Sequence, residues 1–146
     1  MTTPNGSPIT LVQPYLFFGG RCDEALEFYK QALGAEVQLL MRYKESPDPL
    51  PPGMSGPDAG EKVMHTEFRL GATTVMASDG MTFDGAKFEG FSLSITVASE
   101  ADAGRFFTAL SQGGKVEMPL GKTFWSPCFG MLTDQFGIGW MISTAP

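Results

Sequence analysis

The chain has one histidine, and it stands in the run His65-Thr66-Glu67-Phe68-Arg69. Alternate residues of a strand share a face, so His65, Glu67 and Arg69 would point one way. Met64, Thr66, Phe68 and Leu70 would point the other way, into a core. Cβ atoms two residues apart on a strand are ~7 Å apart, close enough for His65 and Glu67 to grip one cation. The same alternation also describes the solvated face of a hairpin strand, and Glu67 and Arg69 are read that way. His65 is kept as a candidate for lining a cavity, because imidazole changes charge near neutral pH and serves as ligand, acid or base.

Other chemistry has thinner support. Ser78, His65 and Asp79 could compose a nucleophile, base and orienting acid, but adjacent strand residues point opposite ways. Asp79-Gly80 reads better as a turn. Cys22, just ahead of a helix, could be a thiol of lowered pKa or a packing residue at the helix entry. Cys128 reads as a small buried hydrophobe. Gly19-Gly20 and Gly113-Gly114 mark element ends and lack the Lys-Ser/Thr of a phosphate loop. No Rossmann glycine fingerprint for a methyl donor is present.

The elements that would position these residues occur twice. Tyr15-Leu-Phe-Phe-Gly-Gly precedes a helical run with the aromatic pair Phe28-Tyr29, which stops at Gly34. Phe91-Ser-Leu-Ser-Ile-Thr-Val97 precedes a second helical run, with Phe106-Phe107 and a stop at Gly113. The pattern predicts strands over Ile9–Phe18, Val37–Tyr43, Lys62–Leu70 and Thr73–Ser78, with a helix capped by Asp23 after the first. The second copy predicts strands over Phe91–Val97, Lys115–Met118, Phe124–Thr133 and Gly139–Ile142, with a helix over Glu100–Gln112 capped by Ser99. Residues 44–60 carry Pro47, Pro49, Pro51, Pro52 and Pro57 and read as a loop that cannot pack as an element.

The expected class is therefore α+β. Two pseudo-symmetric βαβββ modules, about 9–80 and about 91–143, form a curved, partly closed mixed sheet with the helices outside. The 146 residues read as one domain over 1–146. The net charge of −6 argues against nucleic-acid and anionic-membrane partners. No apolar stretch approaches the ~20 residues of a membrane span. Met1–Pro8 lacks the pattern of a signal peptide and reads as a short arm. Two cysteines make no disulfide framework, and the expected location is cytoplasmic.

These features resemble a known family. The twice-repeated βαβββ unit resembles the vicinal-oxygen-chelate superfamily, which includes glyoxalase I, extradiol dioxygenases and bleomycin-resistance proteins. Pro14-Tyr-Leu-Phe-Phe-Gly-Gly, Glu24-Ala-Leu-Glu-Phe-Tyr, Met64-His65, Val75-Met-Ala-Ser-Asp79 and Lys122-Thr-Phe-Trp125 through Asp134-Gln-Phe-Gly-Ile-Gly-Trp140-Met-Ile look closest to its PhnB-like, 3-demethylubiquinone methyltransferase-like branch. The resemblance implies a partly closed barrel and a homodimer whose chains complete each other's clefts, with segment 44–60 long enough to reach a partner. It also implies metal-ligand positions on the first and last strand of each module. These fall near Gln13, near Ser92, within Ala72–Ser78 and within Gly139–Ser143, where the expected late glutamate falls at Met141. Gln13 alone is a plausible ligand, short of the three that zinc or iron sites need. No metal and no cofactor is therefore expected.

What remains is a cleft between the modules for a small organic molecule. Gln13, Tyr15 and Phe17 share one face of the first strand; Ser92, Ser94 and Thr96 share one face of the strand that opens the second module. Gln13, Tyr15, His65, Ser92 and Trp125 are the candidate lining residues, with Trp140 as further aromatic wall. The competing arrangement is one in which these aromatics simply fill the barrel. Two functional alternatives stay open: a metal-dependent lyase or dioxygenase using Gln13, His65 and Glu67, and a protein that sequesters a toxic aromatic compound.

Overall fold

In the computed structural model, residues 6–145 are described, apart from 55 and 57. The first five residues of the expected N-terminal arm lie outside them. The first module runs β1 (Tyr15–Phe17), α1 (Cys22–Leu33), β2 (Glu36–Arg42), β3 (Val63–Leu70) and β4 (Thr73–Ser78). The second runs β5 (Leu93–Val97), α2 (Glu100–Ser111), β6 (Lys115–Gly121), β7 (Phe129–Thr133) and β8 (Gly139–Thr144). Each forms one four-stranded mixed sheet, ordered β1-β4-β3-β2 and β5-β8-β7-β6. The outer pair is parallel in both, with Tyr15 beside Met76 and Leu93 beside Trp140. The repeat in the sequence is thus a repeat in topology, and the two sheets do not close into a barrel.

The elements differ from the sequence expectation at informative places. The first strand begins at Tyr15, not Ile9, because Pro14 has no N–H to give to a ladder. Its carbonyl still accepts from Met76 N at 3.0 Å. Segment 44–60 is less structureless than expected. Short 3₁₀ turns at Tyr43–Glu45 and Ala59–Glu61 stand at its two ends, joined by a Lys44–Glu61 ion pair at 2.8 Å, and Met54 and Ala59 are buried.

Helix α1 buries Cys22, Ala25, Leu26, Tyr29 and Ala32, the stripe that 3.6-residue periodicity demands. Gly34 ends it at φ 71°, where its N–H reaches Lys30 O. Asp23 does not cap it. Asp79, at the far end of β4, does so from outside: Oδ1 accepts from Gly20 N at 3.0 Å and Cys22 N at 2.8 Å, and Oδ2 from Val63 N at 2.7 Å. One buried carboxylate therefore ties the start of the helix to the start of β3. Helix α2 follows expectation, with Ser99 Oγ accepting from Asp102 N at 3.1 Å.

The modules meet around Tyr29. Its ring packs against Phe18, Phe68, Phe136 and Trp140 at centroid distances of 5.7–6.2 Å. Its hydroxyl donates to Asp134 Oδ2 at 2.6 Å, and Trp140 Nε1 donates to the same oxygen at 2.8 Å. Oδ1 accepts from Phe136 N and Ile138 N. Burial, with the Asp134 carboxylate adding to it, pushes the Tyr29 phenol far above its ordinary range.

Two expectations follow. Tyr29→Phe removes a buried hydrogen bond to a charged group and should lower unfolding free energy by about 2 kcal/mol in urea titration; an unchanged midpoint would contradict this role. The second concerns the thiols. Burial first, then Asp79 and Asp23, push the Cys22 thiol well above its ordinary pKa, contrary to the lowered value that a helix start suggested. Cys22 and Cys128 are both buried. Native protein should therefore give no fast reaction with a disulfide reagent, and both thiols should appear on denaturation.

Candidate functional site

The first sheet has two unlike faces. Leu16, Phe68, Val75 and Ala77 are buried in the core with the helix stripe. Their neighbours in sequence point the other way, onto a face that neither α1 nor α2 covers. There Tyr15 and Glu67 both stand beside Met76, Leu39 stands beside Glu67, and Met41 beside His65. Phe17 continues the row from β1, more than half exposed.

His65 is held on both sides on this face. Its Nε2 lies 2.9 Å from Glu67 Oε2, and its Nδ1 lies 3.0 Å from the Tyr15 hydroxyl. A carboxylate only accepts, so in the neutral imidazole Nε2 carries the proton and Nδ1 receives the Tyr15 O–H. The three side chains form a directed chain: Tyr15 donates to His65, and His65 donates to Glu67. The Tyr15 ring lies 4.9 Å from that of Phe17 and 5.5 Å from the imidazole. The side chains of His65 and Glu67 remain 27 % and 37 % exposed, so a ligand can reach them. Glu67, read from the sequence as merely solvated, is thus a partner of His65. The i, i+2 spacing on a strand was its available signal.

The structure brings Tyr15 and His65 together and leaves the other candidates apart from them. Gln13 is half-buried ahead of β1 and makes no side-chain hydrogen bond to either. Ser92 is exposed just before β5, its Oγ crowding Gly139, where an added Cβ would come within 2.8 Å. Trp125 is half-exposed in the β6–β7 loop, packed on Phe124 and Phe129. The Ser78-His65-Asp79 grouping does not assemble. Asp79 is committed to backbone N–H groups, and Ser78 Oγ accepts from Gly80 N.

A glyoxalase-type metal does not fit these residues. Among the described residues no three of His, Cys, Asp and Glu converge. Both nitrogens of His65 are already engaged by Tyr15 and Glu67. Gln13 does not join them, so a set of three protein ligands is not formed.

A cavity of about 590 Å³ lies at the seam of the modules, on the opposite side of the first sheet. Pro14 and Val75 line it from the first module, and Leu93–Val97, Phe106 and Trp140 from the second. Ser94, Thr96 and Trp140 were expected near a cleft and do line it. Tyr15, His65, Gln13, Ser92 and Trp125 do not. Val75 and Phe106 were missed because core-facing residues carry no polar signal that separates a wall from a filling.

With this geometry in place, the chain can be set beside known proteins. Residues 10–143 match the family described as 3-demethylubiquinone-9 3-methyltransferase. The chain is 34% identical to protein YjdN of Escherichia coli strain K12 over 139 residues, covering 90% of this chain and 93% of that one. It is similar to the crystal structure of PA1353 from Pseudomonas aeruginosa, with a TM-score of 0.81 and 38% identity over 94% of this chain and 98% of that one. It is also similar to a putative 3-demethylubiquinone-9 3-methyltransferase, PhnB protein, from Bacillus cereus. There the TM-score is 0.75 and the identity 30%, over 93% of this chain and 100% of that one. Solved members of the glyoxalase/bleomycin resistance protein/dioxygenase superfamily share the fold at identities of 14–16%. Two mixed four-stranded sheets are not the doubly wound parallel sheet of a Rossmann-type fold. The match along nearly the whole chain, with the fold just described, carries the conclusion: the chain belongs to the PhnB-like family described as 3-demethylubiquinone-9 3-methyltransferase.

Proposed function

We propose that this protein binds a small organic molecule on the helix-free face of its first sheet, at Tyr15 and His65, and does so as a cytoplasmic homodimer. The observation that carries this reading is the hydrogen-bonded chain Tyr15–His65–Glu67 on a face that also presents exposed Phe17 and Leu39. A few fixed polar groups in an apolar setting describe a ligand site. Exposed Phe17 and Leu39 on the first module, and Val116, Met118 and Trp125 on the second, make such uncovered surface a place for a second copy. In that assembly the partner's second module covers the first module's face, which would bring Ser92 and Trp125 of the second copy to the site, with Gln13 at its margin. Sequestering an aromatic compound would use the same surface.

A second reading rests on the seam cavity, whose volume is within the range of small-molecule sites. Its walls carry no charged side chain, so it suits a neutral ligand. Thermal-shift screening of wild type, His65→Ala and Ser94→Phe separates the two. A ligand at about a hundred times its Kd adds about 2.7 kcal/mol of stability to the state that binds it. The shift should vanish in His65→Ala and persist in Ser94→Phe, which narrows only the cavity. The opposite pattern would move the site to the seam.

Assembly has its own test. Sedimentation velocity at micromolar concentration should give a dimer, with Phe17→Asp shifting it toward monomer. Wild-type protein that sediments only as monomer would overturn the homodimer.

A further inference from the structure

We infer that Tyr15, His65 and Glu67 form a proton relay that takes the proton of a weakly acidic aromatic hydroxyl, so that the ligand is a phenol bound as its phenolate. This rests on the ligand site proposed above and names the ligand class that the site would take.

The argument starts from direction. Glu67 fixes the Nε2–H tautomer, so the free lone pair of His65 is aimed at the Tyr15 hydroxyl. The hydroxyl is thereby the donor end of the chain, and its oxygen can still accept from a ligand. When a ligand O–H approaches, its proton passes to the Tyr15 oxygen as the Tyr15 proton passes to His65 Nδ1. The ligand becomes an oxyanion, Tyr15 is again a neutral phenol that donates to it, and His65 becomes an imidazolium. The charge on His65 is balanced by the Glu67 carboxylate at 2.9 Å. Proton count is conserved, and no oxidant or co-reactant is needed.

The surroundings select the ligand. Phe17 lies beside Tyr15 and is more than half exposed, which offers a flat apolar platform. Met76 and Met41, on the neighbouring strands, complete adaptable apolar walls. An aromatic ring carrying one acidic hydroxyl satisfies both parts. The ionisable groups around the relay are few. Arg69 continues the face of β3 and stands beside Glu36 of β2. Tyr43 is near Tyr15, but its hydroxyl is spent on Gly80 O at 2.9 Å. No lysine contacts the relay among the described residues, so His65 is the group placed to receive the proton.

The test uses 4-nitrophenol, whose neutral and ionised forms absorb differently, buffered at a pH where the His65 C–H resonance of the free protein is that of neutral imidazole. Because His65 is the only histidine, its imidazole C–H resonance is a single, unambiguous NMR reporter on wild-type protein. Bound probe should show about a tenfold rise in its phenolate-to-phenol ratio, one pKa unit. The His65 resonance should move to the imidazolium position in step. Glu67→Gln should still bind the probe but lose that rise, a spectroscopic change that a merely structural role would not produce. Probe that binds in competition with a screening hit yet keeps its free spectrum and leaves His65 neutral would overturn the relay while leaving the ligand site standing. Probe that perturbs no resonance on this face would also overturn the relay, and the ligand site would then be judged by the thermal-shift variants alone.

Discussion

Asp134 is the interaction on which the rest of the architecture depends. It is a carboxylate almost without solvent contact, and it persists there because four donors surround it. Two of them close the turn between β7 and β8, one is the indole of Trp140, and one is the Tyr29 hydroxyl from the other module. A buried charge short of partners costs several kcal/mol, so the donors are all required at once. That requirement sets how α1 lies against the second sheet, and it fixes the aromatic cluster around Tyr29. Arg21 adds to the same junction by lying 4.5 Å above the Phe136 ring and reaching Gln135 O.

A rigid junction on one side of each sheet leaves the other side available. Helix-facing positions of the first sheet are consumed by packing, and the Thr66 hydroxyl there is satisfied by backbone. The opposite face of the first sheet has no such obligation, and there the chain keeps a histidine held at both nitrogens. Function and stability thus divide by residue parity along β3. Past Val63, Phe68 is core and Thr66 is tied to Leu39 O, whereas His65 and Glu67 turn toward one another.

Much of this was legible in the sequence, where the reason was local. The duplicated strand–helix pattern, the Gly34 stop and the Ser99 cap all depend on neighbours in the chain, and all are found. What was not legible depends on distant partners. Asp79 read as a turn residue and Asp134 as part of a motif, and each proves to be a buried acceptor for groups tens of residues away. Asp23 looked like a cap, and its carboxylate instead pairs with Arg42. Ile9–Gln13 has strand-forming composition, but Pro14 interrupts the ladder it would have continued. At the candidate site, alternation on β3 identified the shared face of His65 and Glu67, while the Tyr15 contact required knowing that β1 lies parallel to β4.

The pairing of Tyr29 with Asp134 also bears on how a doubled chain can be built. It runs one way. In the second helix the place of Tyr29 in the aromatic pair is taken by Phe107, which has no hydroxyl, and the residue after β3, in the place of Asp134 after β7, is Gly71. The two halves are therefore alike in topology and complementary in chemistry, one bringing the donor and the other the acceptor. A chain made of two first modules would carry the tyrosine twice and the carboxylate not at all. A chain made of two second modules would bury the carboxylate without its phenol. The halves are non-interchangeable parts, although a backbone trace would call them copies.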